Sequence, residues 1–393
     1  MKILSDQVAG YLERSSWIRK MFEAGASLRD RYGAENVFDF SLGNPDLPPP
    51  REVSESLAQV ARDLGSPFAL GYMPNAGYAD VREKLAGFLS KEQGVQVAAG
   101  DLVLSCGAAG GLNAFFRAVL EPGEEVVCQA PYFVEYGFYA QNHGGEFRLV
   151  PASLPDFGLD LAAIEAAIGP KTRIVLINSP NNPSGRVYTR EELSGLADIL
   201  NRKTREFGRP IFLLSDEPYR FLVYDGVQVP PVLPLYEYSV VINSFSKSLS
   251  LAGERIGYVL PNPAMQGKDE LINGLVLTNR ILGYVNAPAI GQKILLGALG
   301  AQVDTEVYAE RREKMAAMLQ GAGYDFFMPQ GGFYFFPRAP GGDDVAFVSR
   351  LQEERVLAVP GVGFGCPGYF RLTFCVGTQT IERSAEGFQR ALG

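Results

Sequence analysis

Between residues 101 and 260 short apolar runs alternate with stretches of helical spacing. "DLVLSC", "EEVVCQ", "EFRLVP", "TRIVLIN", "IFLLSD", "SVVINS" and "RIGYVL" read as strands. "AGGLNAFFRAVL" and "REELSGLADILNRKT", between them, carry the helix period. Strand and helix in alternation predict an α/β domain, a mostly parallel sheet sandwiched by helices.

The pattern differs at both flanks. Residues 15–33 read as a helical lead, "VFDFSLGNPDLPPP" as a strand and turn, and "YADVREKLAGFLSKEQG" as an amphipathic helix. Pro48 to Pro50 make a natural joint, because three successive prolines continue neither helix nor strand. One long helix is expected near 290 to 320. Beyond it "FFMPQGGFYFFP", "VLAVPGVGFG" and "YFRLTFC" read as strands of a smaller α+β unit. The expected division is a large domain over 49–290 and a small domain made of 1–48 with 291–393.

Composition narrows the chemistry. The 393 residues are 47% hydrophobic and 20% charged, an ordinary globular balance. A net charge of -8 without a basic stripe gives little attraction to nucleic acid or anionic membrane. The first residues lack the apolar centre of a signal peptide, and no apolar run approaches the roughly 20 residues that span a bilayer, so a cytoplasmic protein is expected. Cys106, Cys128, Cys366 and Cys375 form neither a C-x-x-C motif nor a disulfide framework. The single histidine, His143, leaves no clustered His ligands, so no metal site is expected. It sits in a Gly-rich turn and reads as a surface loop residue.

In an open parallel sheet the ligand lies beyond the carboxyl ends of the strands. Four predicted strands end in polar sets there: Gly107 to Gly111, then Asn178 with Asn182, then Asp216 with Tyr219, and finally Ser244, Ser246 and Lys247. Each alone has a bland reading. "CGAAGG" is a tight turn or an anion cradle at a helix N-terminus, "NSPNNPSG" a turn, Asp216 a helix cap, Glu217 a surface or capping residue, and Lys247 a surface lysine. Together they make a phosphate site with Arg255, an amine nucleophile, a carboxylate, and neutral polar groups. Pyridoxal phosphate uses all of these: its phosphate, its aldehyde, its ring nitrogen and its phenolic oxygen.

The ordered strings "FSLGNPDLPPP", "GYMPNAGYADVREKLA", "APYF", "NSPNNPSG", "SDEPY", "SFSKSLSLAGERIGY", "PQGGFYFFP", "PGVGFG" and "FRLTF" make the sequence resemble, nearly end to end, the class I/II aminotransferases. These are pyridoxal 5'-phosphate enzymes of fold type I. The resemblance implies an L-amino acid and a 2-oxo acid as substrates, a ping-pong mechanism and a homodimer. It implies that Lys247 is the Schiff-base lysine and moves the Cα proton. Asp216 is then the partner of the ring nitrogen, and Asn182 and Tyr219 serve the ring oxygen. Tyr132 is the aromatic residue stacked on the cofactor. The phosphate falls to Gly107, Ala108, Ala109, Ser244, Ser246 and Arg255, with Tyr72 reaching across from the other subunit. Arg371 grips the substrate α-carboxylate, assisted by Gly43 and Asn182.

Two departures from the family pattern are Ser184 in place of a common Thr and Glu254 in place of a common Trp, the latter putting a charge near the substrate mouth. Two rivals keep the same cofactor: a β-lyase of the same fold and a non-catalytic regulatory domain. Substrate choice stays open. Arg19, Arg29 and Arg280 are candidates for gripping a second carboxylate, whereas Trp17, Ile18, Tyr284 and Tyr334 would line an apolar pocket. Aspartate with 2-oxoglutarate is the default pair.

Overall fold

All seven apolar runs become strands of one sheet in the computed structural model, which describes residues 3–14 and 25–393. Trp17, Ile18 and Arg19 lie outside the described residues. The strands are β1 (Val103–Cys106), β2 (Glu125–Gln129), β3 (Glu146–Val150), β4 (Thr172–Asn178), β5 (Phe212–Asp216), β6 (Ser239–Ser244) and β7 (Ile256–Pro261). Their order across the sheet is β1-β7-β6-β5-β4-β2-β3. From β6 to β3 every pair is parallel, whereas β7 runs antiparallel to both neighbours. The link from β6 to β7 holds only two short helical turns, too little for the crossover that a parallel pair needs.

Alternation within the strands feeds the two faces of the sheet, which together make one core. Leu213 and Val241 point to one face, with Leu85, Leu89, Leu196 and Leu200 of the helices Ala79–Gln93 and Arg190–Phe207. Leu214, Val240 and Ile242 point to the other, against Leu112, Phe115 and Leu275 of Gly107–Val119 and Lys268–Ile281. A sheet covered on both faces explains why its strands are apolar throughout.

A second core collects Phe40, Tyr308, Phe335, Phe347, Phe370, Phe374 and Phe388 from both flanks of the chain. Around it Phe38–Asp39 pairs parallel with Val356–Leu357, and Phe370–Thr373 lies antiparallel between Val359–Pro360 and Tyr334–Phe335. Tyr219, Leu222 and Tyr224, just after β5, also enter this core and tie it to the sheet.

The single long helix expected near 290 to 320 is two helices, Ala289–Ala298 and Thr305–Ala322. Gly300, at φ 95°, breaks the first, and Asp304 caps the second by accepting from the Glu306 N–H. Ala289–Ala298 straddles the expected boundary at 290 and packs on Arg51–Asp63, with Ile294 and Leu295 in the core beneath the sheet. Among the described residues no helix is long and apolar enough to cross a membrane.

Leu214 is fully buried in a central strand. Leu214→Ala is expected to cost ~2–5 kcal/mol, from lost transfer energy and the cavity left behind. A lower guanidinium midpoint at fixed protein concentration is the check.

Candidate active site

The register places Asn178 beside Asp216, and Asp216 beside Ile242, so β4 and β5 end level and β6 runs two residues further. Beyond them opens a cavity of about 550 Å³, lined by Gly43, Ala108, Ala109, Asn182, Asp216, Tyr219, Ser244, Ser246, Lys247, Arg255 and Arg371 among others. The polar ends of the predicted strands therefore do converge.

Lys247 sits on the helical turn Phe245–Ser248 that closes β6. Its Nζ donates to the Gly43 carbonyl at 2.6 Å and lies 5.3 Å from the Phe333 ring centroid. Burial presses the amine down to about 8; the thiol of Cys375 opposes this, and the charges of Arg371 and Arg255 add to it. Residue 43 has to be glycine here, because a Cβ would stand 1.8 Å from the Tyr334 hydroxyl oxygen.

Asp216 ends β5 and is buried. Tyr136 donates its hydroxyl to Oδ2, and Asn178 Nδ2 donates to the Asp216 backbone carbonyl at 2.8 Å. Oδ1 is buried with no partner. Burial pushes the carboxyl up to about 7; the Tyr136 bond pulls it down and neighbouring Glu217 pushes it further up. No helix follows β5 directly, so Asp216 is not a cap. Glu217, expected at the surface or at a cap, is instead buried: Arg220 Nη1 lies 3.0 Å from its Oε2, and Ser215 Oγ donates to its Oε1 at 2.9 Å.

Arg371 comes from Phe370–Thr373. Its guanidinium carbon lies 4.7 Å from the Tyr334 ring centroid and 4.8 Å from that of Phe364. Nη1 donates to Asn182 Oδ1 at 3.1 Å and Nη2 to the Ser41 carbonyl at 2.6 Å, while Nε has no partner. The Tyr219 hydroxyl lies 3.2 Å from that of Tyr334.

At the other end of the cavity helix Gly107–Val119 begins, its first N–H groups lacking intrahelical acceptors. Gly107, at φ 67°, leaves room for Arg255, whose Nη2 would lie 2.9 Å from a Cβ there. With Ser244 and Ser246 adjacent on the lining, this donor set suits a phosphate.

Some expected members fall elsewhere. Tyr132 does not line this cavity; it packs on Phe147, with ring centroids 5.0 Å apart, and borders a void of about 10 Å³. Its neighbour Phe133 faces the cavity instead. Residue type could not choose between two adjacent aromatics in a loop. Tyr72 is 97% exposed and takes no part in the lining of its own chain. Glu254 does not line the cavity either. Arg29 is held by Asp39 at 2.5 Å, Arg280 is exposed on Lys268–Ile281, and Tyr284 is exposed too, whereas Tyr334 does line the cavity. His143, expected in a surface loop, is half-buried at a helix C-cap, its Nε2 3.1 Å from Asn113 Oδ1. The sequence reading passed over Ser41, Glu135, Tyr136 and Tyr139; the aromatic spacing in "YFVEYGFY" was the available signal for the tyrosines.

A partly neutral amine, a buried acid with a free oxygen, an anion cradle and an arginine fork together define an enzyme of amine and carboxylate chemistry. Comparison with known proteins gives the family. The aminotransferase class I and II family matches residues 35–388, and the chain belongs to it. The aspartate/prephenate aminotransferase of Thermus thermophilus is 31% identical, over 90% of either chain. A solved aminotransferase from Eubacterium rectale superposes with a TM-score of 0.95 at 40% identity, covering 100% of this chain and 98% of that one. The asparagine--oxo-acid transaminase of Streptococcus mutans is 28% identical over 90% of this chain and 91% of its own. The protein is an aminotransferase, and the lyase and regulatory readings find no support in these relatives.

The low pKa of Lys247 is testable in protein dialysed free of small molecules. With an amine-acylating reagent and peptide mass analysis, Lys247 is expected to reach half its limiting rate near pH 8. Exposed lysines should do so near the ordinary ~10.4.

Proposed function

We propose that the cavity takes pyridoxal 5'-phosphate and that the enzyme moves the amino group of an L-amino acid to a 2-oxo acid, the two substrates using the same seat in turn. The observation that carries this reading is the unpartnered, buried Oδ1 of Asp216 in the cavity that also holds the partly neutral amine of Lys247. When bound, the cofactor supplies a carbonyl for amines and a protonated ring that draws off the electron pair left at Cα.

The chain's own residues do the rest. Oδ1 of Asp216 would accept from the ring N–H, and Tyr136, which donates to Oδ2, would keep that carboxylate oriented. Lys247 would be the residue that holds the cofactor covalently, and its partly neutral amine would be the base that moves the substrate Cα proton. Asn182 and Tyr219 would donate to the ring oxygen, and Phe133, which lines the cavity where Tyr132 does not, would cover the ring face. Gly107, Ala108, Ala109, Ser244, Ser246 and Arg255 hold the phosphate, with the exposed Tyr72 serving a second copy in a homodimer. Arg371 receives the α-carboxylate, with Asn182 and the Gly43 amide beside it.

The default donor, aspartate, carries a second carboxylate that needs a cation of its own. Among the described residues the cations on the cavity wall are Lys247, Arg255 and Arg371, and each already has a task. A second carboxylate would need a cation from elsewhere.

The test is the visible spectrum of the purified enzyme. Single amino acids, added without any 2-oxo acid, are expected to bleach its colour, and a 2-oxo acid to restore it. A colourless protein that takes up no cofactor sinks the reading. Ammonia and pyruvate released from a sulfur amino acid, with no need for a 2-oxo acid, would restore the lyase. Arg371→Ala is expected to lower kcat/KM for every α-amino acid by roughly 10²–10³-fold, the worth of a buried hydrogen-bonded charge pair, with the colour retained. Asp216→Ala should lose most of the rate even where the cofactor still binds.

A further inference from the structure

The family reaction leaves the donor's side chain unassigned, and the cavity wall carries one charge that no step above uses. Helix Glu135–Asn142 presents Glu135, Tyr136 and Tyr139 to the cavity. Tyr136 is taken up by Asp216. Glu135 and Tyr139, four residues apart, share a helix face.

Glu135 is half-buried and, among the described residues, has neither a hydrogen-bond nor an ion-pair partner for its carboxylate. Burial raises its pKa, and among the described residues no cation brings it down. The groups that act electrostatically on nearby Tyr139 are Glu135, Asp216, Tyr284 and Arg255, so that wall holds two carboxylates and one arginine already assigned to the phosphate cradle. A substrate side chain ending in a carboxylate would add a further anion in a desolvated place. One ending in an ammonium, guanidinium or amide N–H would supply the partner that Glu135 lacks.

We propose that Glu135 sets donor specificity, favouring amino acids whose side chain ends in a cation or an N–H donor over those that end in a carboxylate. The assignment rests on the transamination cycle proposed above. It makes the substrate class of this chain different from that of a dicarboxylate-selective enzyme, with repulsion doing part of the selection.

Glutamine and glutamate test it, being nearly equal in shape. The bleaching reaction of the cofactor-loaded enzyme gives a second-order rate constant for each, and their ratio cancels any general loss of activity. The ratio is expected to favour glutamine by about tenfold or more, to collapse toward one in Glu135→Gln, and to invert in Glu135→Lys. Binding gives an independent readout: glutarate and its monoamide, which lack an α-amino group and do not turn over, are titrated by calorimetry. The monoamide should bind more tightly to the wild type, and Glu135→Gln should remove the difference.

A wild-type preference for glutamate, or ratios that neither substitution moves while amino acids still bleach the enzyme, overturns the role of Glu135 alone. An enzyme that no amino acid bleaches overturns the cycle itself, and the Glu135 assignment with it.

Discussion

An amine and a carboxylic acid are buried in one cavity here without neutralising each other, and the site depends on that separation. Lys247 spends its hydrogen bond on the Gly43 carbonyl, and Asp216 takes one from Tyr136. Had the two met, each would have fixed the other's charge and neither would answer to a ligand. Kept apart, both are desolvated without compensation, the amine shifting toward neutral and the acid toward protonated. Their frustration is useful because an incoming group can relieve it.

The sheet sets the separation. Asp216 and Lys247 come from adjacent parallel strands, β5 and β6, but Asp216 ends its strand whereas Lys247 lies a helical turn past its own. Arg371 and Gly43 then close the cavity from the second core, on the flank away from the helix Gly107–Val119 cradle. Tyr219 and Tyr334, both in the second core, meet where that core reaches the sheet. Arg371 is therefore anchored in one core, and Asp216 and Lys247 in the other.

Much of this was legible in the sequence. Strands buried on both faces leave continuous apolar runs, so all seven were readable to within a residue or two, and the polar residues at their ends marked the site. What escaped depended on tertiary direction. Tyr132 and Phe133 are interchangeable in type, and only the path of the loop decides which one faces the cavity. Glu217 looked like a surface group because its partners, Arg220 and Gln93, are assembled only by folding. The break at Gly300 was hidden by apolar spacing that continues across it. The antiparallel setting of β7 follows from the short connection before it, a matter of length that residue pattern does not display.

The order in which the site's parts leave the ribosome is unusual in its consequence. The cradle, the acid and the amine all lie between residues 107 and 255, and Gly43 is made earlier still. Arg371 arrives more than a hundred residues after Arg255, within the last strand before the terminal helix Thr378–Leu392. Since synthesis runs from the N-terminus and domains tend to fold as they emerge, the cradle, the acid and the amine are all made before the arginine that we propose receives the α-carboxylate. The arginine proposed to receive the α-carboxylate is the last part of the site to be made.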